Sequence, residues 1–232
     1  MLSRIYYYFK QPFKYGRYGL FFDALRYFPR WYQTLGKSPF ALHLPWMNFR
    51  VVDFLMQEVK AGDTVLEYGC GGSSLFLTDR KVNLISVEHN KEWYDIVAKN
   101  PIENCNLHLI EPGPAETNNP HTDYKDPLSY QSNDAAYTGL SFRAYASFID
   151  QFPDASFNWV FIDGRARNSC LLHAMKKVKP GGRIVLDNTD RTYYTEALHN
   201  ELMTMFSVEL EYFGPCVAET QYMQTTIYKR KS

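Results

Sequence analysis

Two acids standing at the ends of apolar runs, with a glycine turn between them, are the most chemically informative feature of this chain. The first run is Val65-Leu66-Glu67-Tyr68, followed at once by Gly69-Cys70-Gly71-Gly72-Ser73-Ser74. An apolar strand that turns through glycines into a helix lets a ligand approach the backbone with no Cβ in the way. The dinucleotide pattern G-x-G-x-x-G asks for a glycine where Ser74 stands, and Glu67, just ahead of the loop, would repel a pyrophosphate. That acid suits a ligand carrying positive charge. The second run ends Ile85-Ser86-Val87-Glu88, about twenty residues beyond the glycines, where nucleotide-binding α/β units place an acid that holds ribose hydroxyls. An acid after a strand is by itself more often a helix cap; in register with the loop, Glu88 reads as the ribose ligand.

Two more acids follow the same logic. Trp159-Val160-Phe161-Ile162-Asp163-Gly164 and Arg183-Ile184-Val185-Leu186-Asp187-Asn188 end in Asp163 and Asp187, at the edge where open α/β sheets bind ligands. Pro180-Gly181-Gly182 reads as a turn leading into the second of these strands. Arg165 and Arg167, always charged and unable to accept a proton, either clamp an anionic group of a substrate or pair with nearby acids such as Asp187 or Asp190. Candidates for moving a proton are Asp163, Tyr137 and His43, the last of which reads equally well as a satisfied histidine among aromatic residues. Cys70, Cys105, Cys170 and Cys216 lie far apart with no metal-ligand spacing, and read as reduced, packed thiols.

The elements that must position these residues follow from periodicity. Apolar runs at 64–68, 84–88, 107–110, 159–162, 184–187, 208–212 and 225–228 alternate with helical stretches at 50–60, 73–79, 92–99, 142–151, 170–178 and 194–205, which implies parallel strands joined by crossover helices. Residues 112–141 are polar and rich in Pro, Asn, Asp and Ser, too long for an ordinary connection, and read as a substrate lid or a disordered insert. Residues 1–49 form a separate aromatic and basic segment. Up to Lys37 it carries Arg4, Lys10, Lys14, Arg17, Arg26, Arg30 and Lys37 against the single acid Asp23. Such a mixture either anchors at a membrane surface or makes a helical cap that buries its rings on the main domain or a second subunit. Gly16, Gly19 and two prolines interrupt any long helix there and favour the cap.

Composition bounds the reading. With 232 residues and 45% hydrophobic content the chain buries one substantial core, and 25 basic against 25 acidic residues leave a formal net charge of +0. That balance lacks the signature of a dedicated nucleic-acid binder. No signal-peptide core and no apolar run long enough to span a bilayer interrupts the pattern, which points to the cytoplasm.

The joint pattern E-x-G-x-G-G, second-strand Glu88, F-I-D-G and K-P-G-G-x-I-V-L-D-N resembles the class I S-adenosylmethionine-dependent methyltransferases over about residues 50–230. The resemblance implies a Rossmann-like three-layer α/β sandwich with a mostly parallel seven-stranded sheet and an antiparallel last strand. Residues 1–49 would be an aromatic-rich N-terminal helical cap and 50–232 the cofactor-binding domain, with the lid at about 112–141. By position, Glu67, Gly69 and Gly71 would line the methionine part of S-adenosylmethionine, Glu88 the ribose, and the segment beginning Gly113-Pro114 the adenine edge. Ser73 and His89 join the cofactor contacts, and Asp163 would stand beside the transferable methyl.

In the catechol O-methyltransferase-like branch, an acid at the position of Asp163 and an Asp-Asn pair at the position of Asp187-Asn188 hold Mg2+, which prefers oxygen ligands. All three residues are present, but the lysine base of that branch, three residues after the first acid, is replaced by Ala166. The expectation is methyl transfer to an oxygen of a small polar or anionic acceptor, with Asp163, Arg167, Tyr137 and His43 as the catalytic set. Rival readings are an NAD-dependent oxidoreductase, and a non-catalytic protein that keeps the cofactor fold as a scaffold. The expected partner is a small-molecule substrate, with residues 1–40 contacting a membrane surface or a second copy.

Overall fold

A computed structural model describes residues 1–100 and 102–232. In chain order the helices and strands begin with α1 (Leu2–Lys14), α2 (Leu20–Thr34), α3 (Pro39–Leu42), α4 (Phe49–Glu58), β1 (Thr64–Tyr68), α5 (Gly72–Thr78), β2 (Asn83–Glu88), α6 (Lys91–Ala98) and β3 (Cys105–Leu109). They continue with β4 (Gly113–Pro114), β5 (Leu140–Ser141), α7 (Arg143–Ala146), β6 (Phe157–Ile162), α8 (Arg167–Ala174), β7 (Val178–Asp187), α9 (His199–Met205), β8 (Phe206–Gly214) and β9 (Met223–Arg230).

Seven strands form one sheet in the order β3-β2-β1-β6-β7-β9-β8. Strands β3, β2, β1, β6 and β7 run parallel, and β9 runs antiparallel to both β7 and β8. The chain winds outward from β1 through β2 to β3, then returns to β6 on the other side of β1. Beyond the carboxyl ends of such neighbouring strands the connections diverge and leave a crevice. Each expected strand falls on an observed one, and the sheet is covered on both faces, which is why its strands read as nearly unbroken apolar runs. Alternation assigns the sides: Val160 and Ile162 join one core with Tyr145, Leu171 and Leu198, while Trp159 and Phe161 join the other with Phe49, Leu55 and Phe76.

The differences from the sequence reading are local. Phe157 pairs with Val178 but Trp159 with Arg183, so the Lys179-Pro180-Gly181-Gly182 segment bulges out of β7, with Gly181 at φ +75. The expected helix at 142–151 is α7 followed by a 3-10 turn, Ser147–Gln151, and the one at 194–205 is two 3-10 turns ahead of α9. Residues 112–141 are folded. β4 pairs with β5, and the segment is pinned to α8 by Asn168 Nδ2 donating to the Tyr124 carbonyl at 2.9 Å and Ser169 Oγ to the Pro127 carbonyl at 2.7 Å. Among the described residues no helix is long and apolar enough to cross a membrane.

The N-terminal segment is a pair of helices split at Gly16 (φ +64), with Pro12 and Pro29 accommodated inside α1 and α2. Its inward face is part of the second core. Tyr8 stacks on Trp31 at 4.2 Å between ring centroids, Tyr27 stacks on Phe49, and all four rings are buried. Trp31 Nε1 donates to the Glu219 carbonyl at 2.7 Å, and Ala218 N–H to Thr34 Oγ1 at 3.0 Å, tying the helices to the β8–β9 connection. Truncating such a large, fully buried ring costs about 3–5 kcal/mol. Urea unfolding of Trp31→Ala should show that loss in a single transition with the rest of the chain; a loss below about 1 kcal/mol would mean that the cap contributes little to the core.

Candidate active site

Strand β1 ends at Tyr68, and Gly69 turns the chain at φ +93, a left-handed conformation reserved largely for glycine. A Cβ at Gly69 would lie 3.1 Å from the Gly164 backbone, so the turn after β1 and the turn after β6 pack backbone against backbone. Gly71 has an extended backbone, and a Cβ there would meet only the Trp93 ring at 3.8 Å; its missing side chain leaves room in the cleft. Behind the loop lies a relay: Gly71 N–H donates to Ser74 Oγ at 2.9 Å, Ser74 Oγ to Glu67 Oε2 at 2.5 Å, and Ser86 Oγ to the same oxygen at 2.8 Å. Ser74, which departs from the dinucleotide pattern, thus fastens the loop to Glu67. The other oxygen, Oε1, is buried without a partner. Burial pushes the Glu67 carboxyl up to about 7 despite these hydroxyl donors.

Glu88 closes β2 beside the loop. Its Oε1 accepts from the backbone N–H groups of His89 and Asn90, both at 2.8 Å, and its Oε2 from Cys70 N–H at 3.0 Å. Burial works against its charge, yet the His89 ring nitrogen 2.9 Å away and these N–H donors outweigh it and hold the carboxyl below its ordinary range. A carboxylate oxygen accepts two bonds, so Oε2 keeps a lone pair for a ligand hydroxyl.

The loop, Glu88 and the strand ends line one cleft of about 900 Å3. Gly69, Gly71, Ser73, Glu88, His89, Asp163, Arg167, Asp187, Asn188 and Tyr137 all lie on its wall, as the sequence predicts. Glu67 sits directly behind it. Several wall residues carried no sequence signal: Asn90 and Trp93, whose Nε1 donates to the Cys70 carbonyl at 2.6 Å, and Arg4, Lys37 and Phe40 from the cap. Only a basic, aromatic composition marked that segment, and composition does not say which side chains turn inward.

Three expectations need correction. His43 lies outside the cleft wall, where its Nδ1 is 2.9 Å from Asp79 Oδ2, both side chains half exposed; it takes no part in the site. Gly113 and Pro114 are exposed in the β4–β5 pair and do not line the cleft, because that pairing carries the chain away from the end of β3. Arg167 is no substrate clamp, since its donors are already committed. Nε donates to the Gly164 carbonyl at 3.0 Å, Nη1 to the Asp187 carbonyl at 2.6 Å and Nη2 to the Asp163 carbonyl at 3.1 Å. The guanidinium also lies 2.8 Å from Asp163 Oδ1 and 3.5 Å from Asp187 Oδ2.

This arrangement also answers the question of Mg2+. The cation between the two acids is a guanidinium, Asp187 Oδ1 accepts from Thr225 Oγ1 at 2.5 Å, and the Asn188 amide is turned onto Met223 Sδ at 3.2 Å. Among the described residues no group of three or more His, Cys, Asp or Glu could hold a metal. The trio does not fit Mg2+, which would have to displace an arginine with all its donors satisfied. Burial raises both carboxyls, Arg167 opposes the rise in each, and Asp187 raises Asp163 further. Burial disfavours the charge on Arg167, but the two acids keep it protonated. With both acids ionised the cluster carries one net negative charge. Asp163, about a quarter exposed, is its open member.

Tyr137 reaches the cleft from the folded insert, its hydroxyl 3.1 Å from His89 Nε2. Arg165, lying over the Tyr137 ring, pairs with Asp134 at 2.8 Å, while its Nε is buried without a partner. Cys70 and Cys170 are buried, with thiols raised far from reactivity by that burial.

Removing the central cation would leave two buried carboxylates unpaired, at a cost of about 3–5 kcal/mol. The carboxyls would then titrate higher in the folded than in the unfolded chain, so the penalty grows as pH rises above the unfolded value near 4. Thermal unfolding of Arg167→Met should therefore show a deficit larger at pH 8 than at pH 5; a small, pH-independent deficit would show that Arg167 does not neutralise the pair.

No family model matches the chain, and no curated protein matches it. Solved structures do. The O-methyltransferase from Bacillus cereus, crystallised with SAH, aligns at TM-score 0.50 and 18% identity over 76% of this chain and 78% of that one. A methyltransferase-like protein from Silicibacter pomeroyi aligns at TM-score 0.48 and 16% identity over 78% and 84% of the two chains. The precorrin-6y C5,15-methyltransferase from Geobacter metallireducens aligns at TM-score 0.47 and 16% identity over 79% and 87%. The first of these likenesses agrees with the strand order described above: the chain has a Rossmann-like α/β fold with a mostly parallel seven-stranded sheet, the fold of that O-methyltransferase.

Proposed function

We propose that the chain is a metal-independent, S-adenosylmethionine-dependent methyltransferase acting on a hydroxyl of a small polar or anionic acceptor. The observation that carries the reading is the open loop at Gly71 flanked by two buried carboxylates, Glu67 with an oxygen left unpartnered and Glu88 with a lone pair left over. Their chemistry fits the ammonium and ribose hydroxyls of the cofactor, which when bound supplies a methyl group on a positively charged sulfur. The pyrophosphate of a dinucleotide would place negative charge beside the same acids.

With both its acids ionised, the Asp163–Arg167–Asp187 cluster favours positive charge on that side of the cleft. As an acceptor oxygen bonds to the methyl carbon, the carbon–sulfur bond breaks and its electron pair stays on sulfur. Asp163, made more basic by burial and by Asp187, takes the hydroxyl proton. Tyr137, steadied by His89, orients the acceptor by a hydrogen bond. Holding the oxygen in line and excluding water supply most of the acceleration. The cations on the wall support an anionic acceptor: Arg4 and Lys37 form no ion pair among the described residues, and Arg165, paired with Asp134, keeps a buried Nε without a partner.

Calorimetric titration of the full chain should give micromolar S-adenosylmethionine binding without added metal and none for NAD. Glu88→Ala should weaken it at least tenfold, since a bond to a charged group contributes about 1.5–3 kcal/mol. Chelator should leave methyl transfer to hydroxyl acceptors intact. Binding without transfer to any oxygen acceptor would favour the scaffold reading, and no cofactor binding at all would overturn the proposal.

Cofactor binding should also be coupled to Glu67. An ammonium binds its ionised form, which in the free protein is lost below about pH 7. Affinity should fall below that point, approaching about tenfold per pH unit under pH 6, with about three-quarters of a proton released per site near pH 6.5. Glu67→Gln should flatten this profile, and a profile unchanged by the substitution would remove Glu67 from ammonium binding.

A further inference from the structure

The cap has a second face that the fold does not use. Along α1 the buried positions are Tyr8, Gln11 and Pro12, while Leu2, Tyr6, Lys10 and Phe13 lie along the opposite side, all exposed. Along α2, Ala24, Tyr27, Trp31 and Thr34 point inward, leaving Phe22, Leu25, Arg26, Pro29 and Tyr32 in solvent. Phe22 is 75% exposed and Tyr18, in the turn between the helices, 67%. These rings form a continuous patch: Phe13 lies 6.0 Å from Tyr18 and 5.9 Å from Phe21, which lies 6.5 Å from Phe22. Lysines stand among them, Lys10 over Tyr6 and Lys14 over Tyr15.

We propose that this outward face docks on the surface of an anionic lipid bilayer. Rings with one apolar and one wet end settle at the headgroup level, and interspersed lysines and arginines are drawn to anionic headgroups. The charge balance selects this occupant. Lys10, Lys14, Arg17 and Arg26 are exposed on or beside the patch, while Arg4 and Lys37 line the cleft and Arg30 pairs with Asp53, so a second copy seated symmetrically on the patch would set lysine against lysine. Anionic headgroups would neutralise them. Arg4 and Lys37, at the two ends of the cap, line the cleft, so docking brings the cleft wall close to the headgroup layer. The proposal does not depend on the chemistry performed in the cleft.

The test is co-sedimentation of the full chain with neutral phosphatidylcholine vesicles and with vesicles containing phosphatidylserine, alongside sedimentation velocity of the protein alone. The expected result is binding to the anionic vesicles only, weakened at least tenfold both by Lys10→Glu/Lys14→Glu and by Phe13→Ser/Tyr18→Ser/Phe22→Ser. Both sets lie on the exposed face, so their melting temperatures and S-adenosylmethionine titrations should match the parent chain and exclude misfolding. Absent vesicle binding, binding indifferent to both sets, or a dimer dispersed by the ring substitutions with no vesicle binding would each overturn the proposal; the last would install a second copy as the occupant.

Discussion

Two aspartates leave adjacent parallel strands at the same edge of the sheet, and the guanidinium of Arg167 between them makes that edge tenable. A carboxylate moved from water into a protein interior is costly, and two side by side repel as well. Arg167 offsets both effects while tying down the carbonyls of Asp163, Gly164 and Asp187, so the strand ends, the turn after β6 and the start of α8 are fixed by one side chain. The turn it fixes is the one against which Gly69 packs. The glycine loop after β1 therefore inherits its position from an ion pair at the neighbouring strand ends. The network extends further: Asp187 accepts from Thr225, Thr225 from Asn48 Nδ2, and Asn48 caps α4. Cleft chemistry and cap anchorage share one chain of hydrogen bonds.

Much of this was legible in the sequence, for identifiable reasons. Strands buried on both faces are apolar along their whole length, so the seven runs stood out, and so did the acids at or next to their ends, Glu67, Glu88, Asp163 and Asp187. What escaped depended on long-range geometry. His43 looked chemical because of its type, but nothing local said that Asp79 was its neighbour. Gly113 and Pro114 were placed by counting from β3, and their pairing with residues 140–141 diverted them. For Arg167 the sequence left two readings open, a clamp on a substrate anion or a pair with an acid such as Asp187, and it is the adjacency of β6 and β7 that decides for the pair.

Ser74 shows the opposite case, in which a departure from a familiar pattern was visible and its meaning was not. A glycine there would leave Gly71 N–H and Glu67 Oε2 without the hydroxyl that joins them. The serine converts a loop held by backbone geometry into one held by a buried acid, and the loop's rigidity becomes tied to the state of that acid.

Gly72 fixes where the molecule can be divided. A Cβ at this position would lie 2.2 Å from the Leu44 carbonyl oxygen and 2.4 Å from that of Pro39, so the α3 segment presses backbone-first against the start of α5. By sequence, residues 38–46 belong to the cap; by contact, they belong to the glycine loop after β1. Modular exchange, whether by recombination in evolution or by chimera building, must therefore leave the stretch from Ser38 onward with the sheet, and any replacement for α1 and α2 must refill the core places of Tyr8, Tyr27 and Trp31.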